Sequence, residues 1–286
     1  MFYVRPEIPV IDVEKATQIH GPDAMIFYKK HKQLLHQIFF YTQKPKRIEL
    51  GNAVDKNPYH LFFFMLARFY YVDDGSTNIL FYYSTSEELM VESALSFLPS
   101  RFKRETVKDD TYEYVELPGC NWYDDKIDEP WIYDYVRDLF KDIWSTTKQR
   151  KGKYTYVLRD PLSTVSRRLL NHKEVIDAAK EEGFSVYEMS NLTFVDQILL
   201  FRSSEFILGV HGAALAFIVF CEPGTQVLEM YPNSSNKGYY YDLARKTGLR
   251  YARFTGLDSF NEKNEDMTVN VSLFHSVIQH LKRSMV

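Results

Sequence analysis

A short glycine-containing segment after an apolar run is the feature of the sequence that points most clearly to ligand chemistry. Residues 206–210 are typical of a buried strand, and His211, Gly212 and Ala213 follow directly. A glycine there lets a ligand approach the backbone, and a helix starting beside it offers free N–H groups to a phosphate. His211 adds a donor that can carry positive charge. A tight strand-to-helix turn with a capping histidine explains the same residues equally well.

Two arginines and one glutamate occupy comparable positions next to other apolar runs. Arg159 directly follows the run 154–158, and Arg168 stands nine positions further on. Guanidinium groups match phosphate oxygens, although a lone arginine is more often a surface salt-bridge partner. Glu229 lies near the end of the run 227–230, where a carboxylate can accept ribose hydroxyls. Taken alone, Glu229 is more simply explained as a buried ion-pair partner.

The elements that must position these residues alternate regularly in the C-terminal half. Asn171, with Glu174 three residues later, predicts a capping box, and Thr193 predicts a second helix cap. Such β-α-β alternation indicates an open parallel sheet, which binds ligands beyond the carboxyl ends of its strands. Strands are predicted at 154–158, 184–187, 206–210, 227–230 and 249–253, with helices starting near 171, 193, 213 and 239.

The N-terminal half also mixes strands and helices, with helices predicted at 60–71 and 89–98 and a strand at 78–83. A polar, basic stretch at 145–153 predicts a domain boundary. We therefore expect an α/β domain over 1–147, a nucleotide-binding domain over 148–265, and a helix over 266–286 that packs back on the N-terminal domain.

Composition and missing motifs exclude several classes of protein. The net charge is −3 over 286 residues, so nucleic acid is not an expected partner. Two cysteines in unlike contexts, Cys120 and Cys221, favour a reducing compartment, and no run approaches the length of a membrane span. The sequence lacks a Walker P-loop and a Gly-x-Gly-x-x-Gly motif, which argues against ATPases, dehydrogenases and nucleotide-sugar epimerases or reductases. It also lacks the Asp-x-Asp triplet that holds manganese in many sugar transferases, so we expect no metal cofactor.

The order and spacing of several blocks resemble glycosyltransferase family 61. These blocks are residues 156–159, 168–175, 207–215 and 224–232. The resemblance implies a GT-B architecture, in which two Rossmann-like domains face a cleft, and an inverting, metal-independent transfer from a UDP-sugar to a glycan hydroxyl. We take UDP-xylose as the expected donor. The implied donor-binding residues are Arg159, Arg168, Gln197, His211, Gly212, Ala213, Glu229 and Tyr231.

The N-terminal half carries a weaker resemblance to the same family. Residues 57–60, Asn-Pro-Tyr-His, resemble its Asn-x-x-His block, which implies acceptor-side roles for Asn57 and Tyr59. The family places an acidic residue four positions after this histidine, and here that position is Phe64. The base candidates are therefore His60, Asp73 and Asp74. A capping or packing role for His60 has nearly equal weight.

Phe64 also motivates an alternative function, a non-catalytic protein that binds a nucleotide sugar or glycan. Many eukaryotic members of family 61 carry a membrane anchor, and this sequence has no apolar run long enough for one. In this respect it resembles the compact family members of bacteria and large algal viruses. We therefore expect a soluble, cytoplasmic protein of such an origin.

Overall fold

Two β-sheets organise the chain in the computed structural model. The structure describes residues 47–49, 57–71, 73, 75, 78–83, 89–105, 115–116, 130–145, 153–159, 167–233, 238–258 and 265–285. All of these fall within one unit, Lys46–Val286. The base candidate Asp74 and Cys120 lie outside the described residues. The predicted α/β class is confirmed, because both sheets consist mainly of parallel strands with helices between them.

The first sheet has four parallel strands in the order β3-β2-β1-β4. Its strands are β1 (Arg47–Glu49), β2 (Ile79–Tyr82), β3 (Phe102–Glu105) and β4 (Val115–Glu116). The helix predicted at 60–71 starts earlier, as α1 (Pro58–His60), and continues as a π-helix (Leu61–Met65) and a 3-10 helix (Leu66–Tyr71). The other helices of this half are α2 (Leu89–Ser96), α3 (Pro130–Leu139) and α4 (Lys141–Ser145).

The second sheet has six strands in the order β10-β9-β8-β7-β5-β6, and only β10 runs antiparallel to its neighbour. Its strands are β5 (Lys153–Leu158), β6 (Ser185–Glu188), β7 (Ser204–Val210), β8 (Gln226–Pro232), β9 (Arg250–Asp258) and β10 (Met267–Thr268). The helices are α5 (His172–Glu181), α6 (Phe194–Arg202), α7 (Tyr239–Lys246) and α8 (Val271–Arg283), with 3-10 helices at Met189–Asn191 and Ala213–Phe220. The predicted alternation of parallel strands and helices is confirmed.

The strand order places a switch point between β5 and β7. From β5 the chain moves outward to β6, then returns past β5 to form β7 on its other side. The two strands pair directly, with Tyr156 beside Leu208 and Val157 beside Gly209. In open parallel sheets the crevice at such a reversal is where ligands bind. The residues that follow β5 and β7 therefore lie side by side at this crevice.

The two predicted helix caps have different outcomes. Thr193 caps α6 as expected, since its hydroxyl accepts a hydrogen bond from the Asp196 backbone N–H at 3.1 Å. The capping box at Asn171 is wrong, because its side chain makes no cap hydrogen bond. The Asn171 amide instead bonds both backbone groups of Val269, at 2.8 and 3.0 Å. This pair of bonds ties the start of α5 to the segment that precedes α8.

Aromatic packing joins the two halves of the described unit. The Phe62 ring, in the π-helix, lies 5.1 Å from that of Phe217 and 5.4 Å from that of Phe220. On the other side of the second sheet, α8 buries Phe274 and Ile278 in the core that α5 and the sheet share. The domain boundaries stay predictions. None of the described helices combines the length and apolar character needed to cross a membrane.

Candidate functional site

Arg159 and Gly212 meet at the switch point. One guanidinium nitrogen of Arg159, Nη1, donates a hydrogen bond to the carbonyl oxygen of His211 at 3.1 Å. A Cβ atom at Gly212 would collide with the same guanidinium group. The φ angle of Gly212 is 175°, an extended conformation that any residue adopts. Gly212 therefore leaves room for the Arg159 guanidinium group, and its backbone conformation does not call for a glycine.

Glu229 holds His211 from the neighbouring strand. One carboxylate oxygen of Glu229 bonds His211 Nδ1, and the other accepts a hydrogen bond from the Tyr251 hydroxyl. Burial, reinforced by the Glu229 charge, raises the pKa of Tyr251, so that hydroxyl stays protonated and donates. A carboxylate on Nδ1 fixes the orientation of an imidazole ring and leaves Nε2 for another partner. Both carboxylate oxygens of Glu229 are thus bonded within the protein, and Glu229 orients His211.

Two tyrosine rings enclose the imidazole of His211. The ring of Tyr231 lies 4.7 Å from it and that of Tyr240 lies 5.3 Å from it, centroid to centroid. The Tyr240 hydroxyl also donates to the Gly212 carbonyl oxygen at 2.6 Å, and burial raises the pKa of that hydroxyl. Sequence analysis missed Tyr240. It belongs to a Tyr-Tyr-Tyr run at the start of α7, in which only the middle residue is buried.

Arg168 is held at the edge of the site by an aspartate that sequence analysis also missed. Its Nε and Nη2 both donate to one oxygen of Asp266, at 3.0 and 2.7 Å. The other Asp266 oxygen accepts the Arg168 backbone N–H at 2.8 Å. The side-chain hydrogen bond from Arg168 is the main reason that the pKa of Asp266 lies below its usual value. This arrangement fixes the orientation of Arg168 while leaving its side chain 44% exposed.

The Asn-x-x-His block, residues 57–60, packs on α7, and α7 in turn contacts His211. Asn57 caps α1 by accepting the Tyr59 backbone N–H at 2.9 Å, and its amide nitrogen lies 3.3 Å from His60 Nε2. The Tyr59 ring is buried and lies 5.5 Å from that of Tyr239 and 5.9 Å from that of Tyr240. Tyr59 and Tyr240 thus link the N-terminal block to His211.

Asp73 is engaged inside the N-terminal half. Its carboxylate accepts two hydrogen bonds from Arg101, both at 2.7 Å, and one from the Tyr135 hydroxyl at 2.8 Å. Burial acts to raise the pKa of Asp73, but these hydrogen bonds outweigh it and the pKa is lowered. The contacts are those of a structural ion pair. The role of Asp73 as a base stays a prediction.

Of the remaining predicted residues, Gln197 makes contacts within its own segment and Ala213 follows Gly212 directly. Gln197 donates to the carbonyl oxygens of Met189 and Leu192, at 2.9 and 3.1 Å, and so holds the turn before α6. Ala213 is half-buried at the first position of the 3-10 helix. Across the residues that the structure describes, no three His, Cys, Asp or Glu side chains are grouped as a metal site.

Comparison with known proteins identifies the part of the chain that carries this site. The family model Glycosyltransferase 61 matches residues 124–228. Over this segment the chain is similar to glycosyltransferase family 61. Six of the eight predicted donor-binding residues fall in this family 61 segment, while Glu229 and Tyr231 follow it directly.

The relatives of the chain include animal proteins named EGF domain-specific O-linked N-acetylglucosamine transferase. The dog protein (Canis lupus familiaris) is 33% identical over 109 residues, which are 36% of this chain and 20% of that protein. The fruit-fly protein (Drosophila melanogaster) is 29% identical over 120 residues, covering 41% of this chain and 22% of that protein. The chain thus matches about a fifth of their length. These animal relatives give no support to the expected bacterial or viral origin.

Proposed function

We propose that this protein is a glycosyltransferase that moves a sugar from a UDP-sugar to a hydroxyl group of an acceptor. The observation that carries the proposal is the switch point, where Arg159 packs against Gly212 and Glu229 orients His211. The family 61 match, which covers Arg159, His211 and Gly212, supports it. Donor groups concentrated at the carboxyl edge of a parallel sheet are suited to a diphosphate.

In the proposed reaction, the acceptor hydroxyl loses its proton to a base and its oxygen attacks the anomeric carbon. The bond from that carbon to the diphosphate oxygen breaks, and UDP leaves with the bonding electrons. A single displacement of this kind inverts the anomeric configuration. Arg159, Arg168 and His211 would stabilise the charge that develops on the diphosphate, without a metal ion.

His60 is the base that we propose. Imidazole titrates near neutrality, and the Asn57–His60 block contacts α7, whose Tyr240 packs on His211. Asp73 and Asp74 are the alternatives for this role. We further propose that the four-stranded and six-stranded sheets correspond to the two Rossmann-like domains of a GT-B enzyme, with the glycan acceptor bound on the N-terminal side.

Two different observations each favour a different donor sugar. The names of the animal relatives favour N-acetylglucosamine as the transferred sugar. Sequence analysis favoured UDP-xylose. We therefore propose UDP-N-acetylglucosamine as the first donor to test and UDP-xylose as the second.

The test is a panel of UDP- and GDP-sugars, in which hydrolysis and transfer to glycan acceptors are followed with and without a chelator. Wild-type protein is expected to release UDP from one donor, and His60→Ala is expected to abolish this release. His275→Ala is the matched control, because His275 lies on α8 and contacts Glu182. UDP binding without turnover of any donor would favour a nucleotide-sugar-binding protein, and loss of activity with the chelator would contradict the metal-free reaction. Absence of UDP binding would refute the proposal.

A further inference from the structure

A small cavity lies beside the switch point, between the ends of β5 and β7 and the start of α5. Tyr156, Leu158 and Val210 form its strand side. Arg159, Arg168 and His172 contribute cationic or hydrogen-bonding groups to its border. Neither Tyr156 nor His172 was predicted as a site residue.

Tyr156, one of the residues that line this cavity, carries an unusual polar group, its hydroxyl. The side chain is fully buried, and its hydroxyl has no hydrogen-bond partner among the residues that the structure describes. A buried hydroxyl without a partner is costly, so it calls for an explanation. Burial raises the pKa of Tyr156, which keeps the hydroxyl protonated and able to donate.

The other groups around the cavity show what such a donor would bind. Two guanidinium groups have only N–H donors, and His172 is the first residue of the ten-residue helix α5, whose N-terminal end favours negative charge. Two acidic groups, Asp266 and Glu265, act electrostatically on Arg159, and each is paired with another arginine: Asp266 with Arg168 and Glu265 with Arg167. Leu158, Leu169 and Val210 make much of the lining apolar, and the guanidinium groups that border it can only donate, which fits one anionic oxygen.

We propose that this cavity receives a phosphoryl oxygen of the nucleotide donor, and that Tyr156 is a donor-binding residue which hydrogen-bonds that oxygen. The nucleotide part of this inference rests on the proposed function. The position of the cavity supports it, because Arg159 borders the cavity and also contacts the His211–Gly212 backbone. One guanidinium group would thus lie between two parts of the same ligand.

The test compares Tyr156→Phe with Tyr154→Phe. Tyr154 lies two residues earlier on β5, and its ring packs on Phe184 and Phe206, away from the cavity. Isothermal titration measures the affinities for UDP and for pyrophosphate, and thermal unfolding without ligand measures stability. Because Tyr156→Phe removes an unsatisfied hydroxyl, we expect its Tm to equal or exceed that of wild type. Its affinities for UDP and pyrophosphate should fall about tenfold, the size of one hydrogen bond to a charged oxygen. Tyr154→Phe should keep wild-type affinity.

The outcomes separate this inference from the proposed function. If wild type binds UDP and Tyr156→Phe binds it equally well, the cavity assignment is overturned and the function stands. A lower Tm for Tyr156→Phe without ligand would mean that the hydroxyl is already satisfied, which also overturns it. If the protein binds pyrophosphate but not UDP, and this binding depends on Tyr156, the cavity is a phosphate site. The proposal that its ligand is a nucleotide donor is then refuted. Wild type that binds neither compound overturns both proposals.

Discussion

Substituting Gly212 with alanine tests the geometry of the switch point most directly. The added Cβ would collide with Arg159 Nη1, while the next nearest atom outside that side chain, the Val210 carbonyl oxygen, is 3.6 Å away. Since φ at Gly212 is 175°, alanine adopts this backbone without strain. Only the end of a flexible side chain must move. The fold is therefore expected to survive, while Arg159 loses its bond to the His211 carbonyl oxygen.

The size of the effect follows from what Arg159 loses. A hydrogen bond from a charged donor contributes about 1.5–3 kcal/mol. If Arg159 also contacts the diphosphate, its displacement weakens UDP binding by a similar amount, which corresponds to roughly 10- to 100-fold in Kd. The Tm should change little, because the displaced guanidinium can be solvated at the site border.

Isothermal titration with UDP measures this loss, and Gly238→Ala serves as the matched control. A Cβ at Gly238 meets nothing within 4 Å, and its φ of −100° is open to alanine. A double-mutant cycle with Arg159→Met identifies the cause, because Gly212→Ala should cost no further affinity once the guanidinium is gone. A full additional loss in that background would refute the collision as the mechanism. Wild-type affinity of Gly212→Ala alone would refute the role of Arg159 in binding.

Three further substitutions address other parts of the structure. Asp73→Asn should lower the free energy of unfolding by about 2–3 kcal/mol at pH 7, because it breaks a largely buried ion pair with Arg101. The folded-state pKa of Asp73 is lowered from 3.8, so this stabilisation is present above that pH and is lost as pH falls through the folded-state value. Urea unfolding of both proteins at pH 7 and pH 3 should show the difference shrinking, and full turnover by the variant would exclude Asp73 as the base. Tyr240→Phe removes the bond to the Gly212 carbonyl oxygen and should cost about 1 kcal/mol in urea unfolding, whereas Tyr241→Phe, on the exposed side of α7, should cost almost nothing. Thr193→Ala should cost about 1 kcal/mol through loss of the α6 cap and leave UDP affinity unchanged; a change in affinity would contradict the purely structural role of this cap.

The centre of the second sheet was predictable because β7 and β8 are buried on both faces and the helices α5, α7 and α8 are amphipathic. Buried parallel strands appear in sequence as short continuous apolar runs, and 206–210 and 227–230 are such runs. Once the runs are ordered as β-α-β units, the residues that follow each strand must lie at one edge. The local pattern therefore predicted that Arg159 and the His211–Gly212 pair lie at this edge of the sheet.

The residues that hold this edge in place were not predictable in the same way. Asp266 bonds Arg168 across 98 positions, and Tyr251 reaches Glu229 from a neighbouring strand. Nothing in the sequence near either residue indicates its partner, because these contacts depend on the packed sheet. The failure of the Asn171 cap has the same origin, since its amide bonds Val269, also 98 residues away.

The N-terminal block shows how such long-range packing bears on the chemistry. Phe64 replaces the acid that the family pattern leads one to expect, and its ring lies 5.3 Å from that of His60. A side chain at position 64 therefore faces the imidazole, and an acid there would contact it. In this chain the Asn57 amide nitrogen lies 3.3 Å from His60 Nε2. The contacts of Tyr59 with Tyr240, and of Tyr240 with His211, therefore connect the block that carries the proposed base to the residues at the switch point.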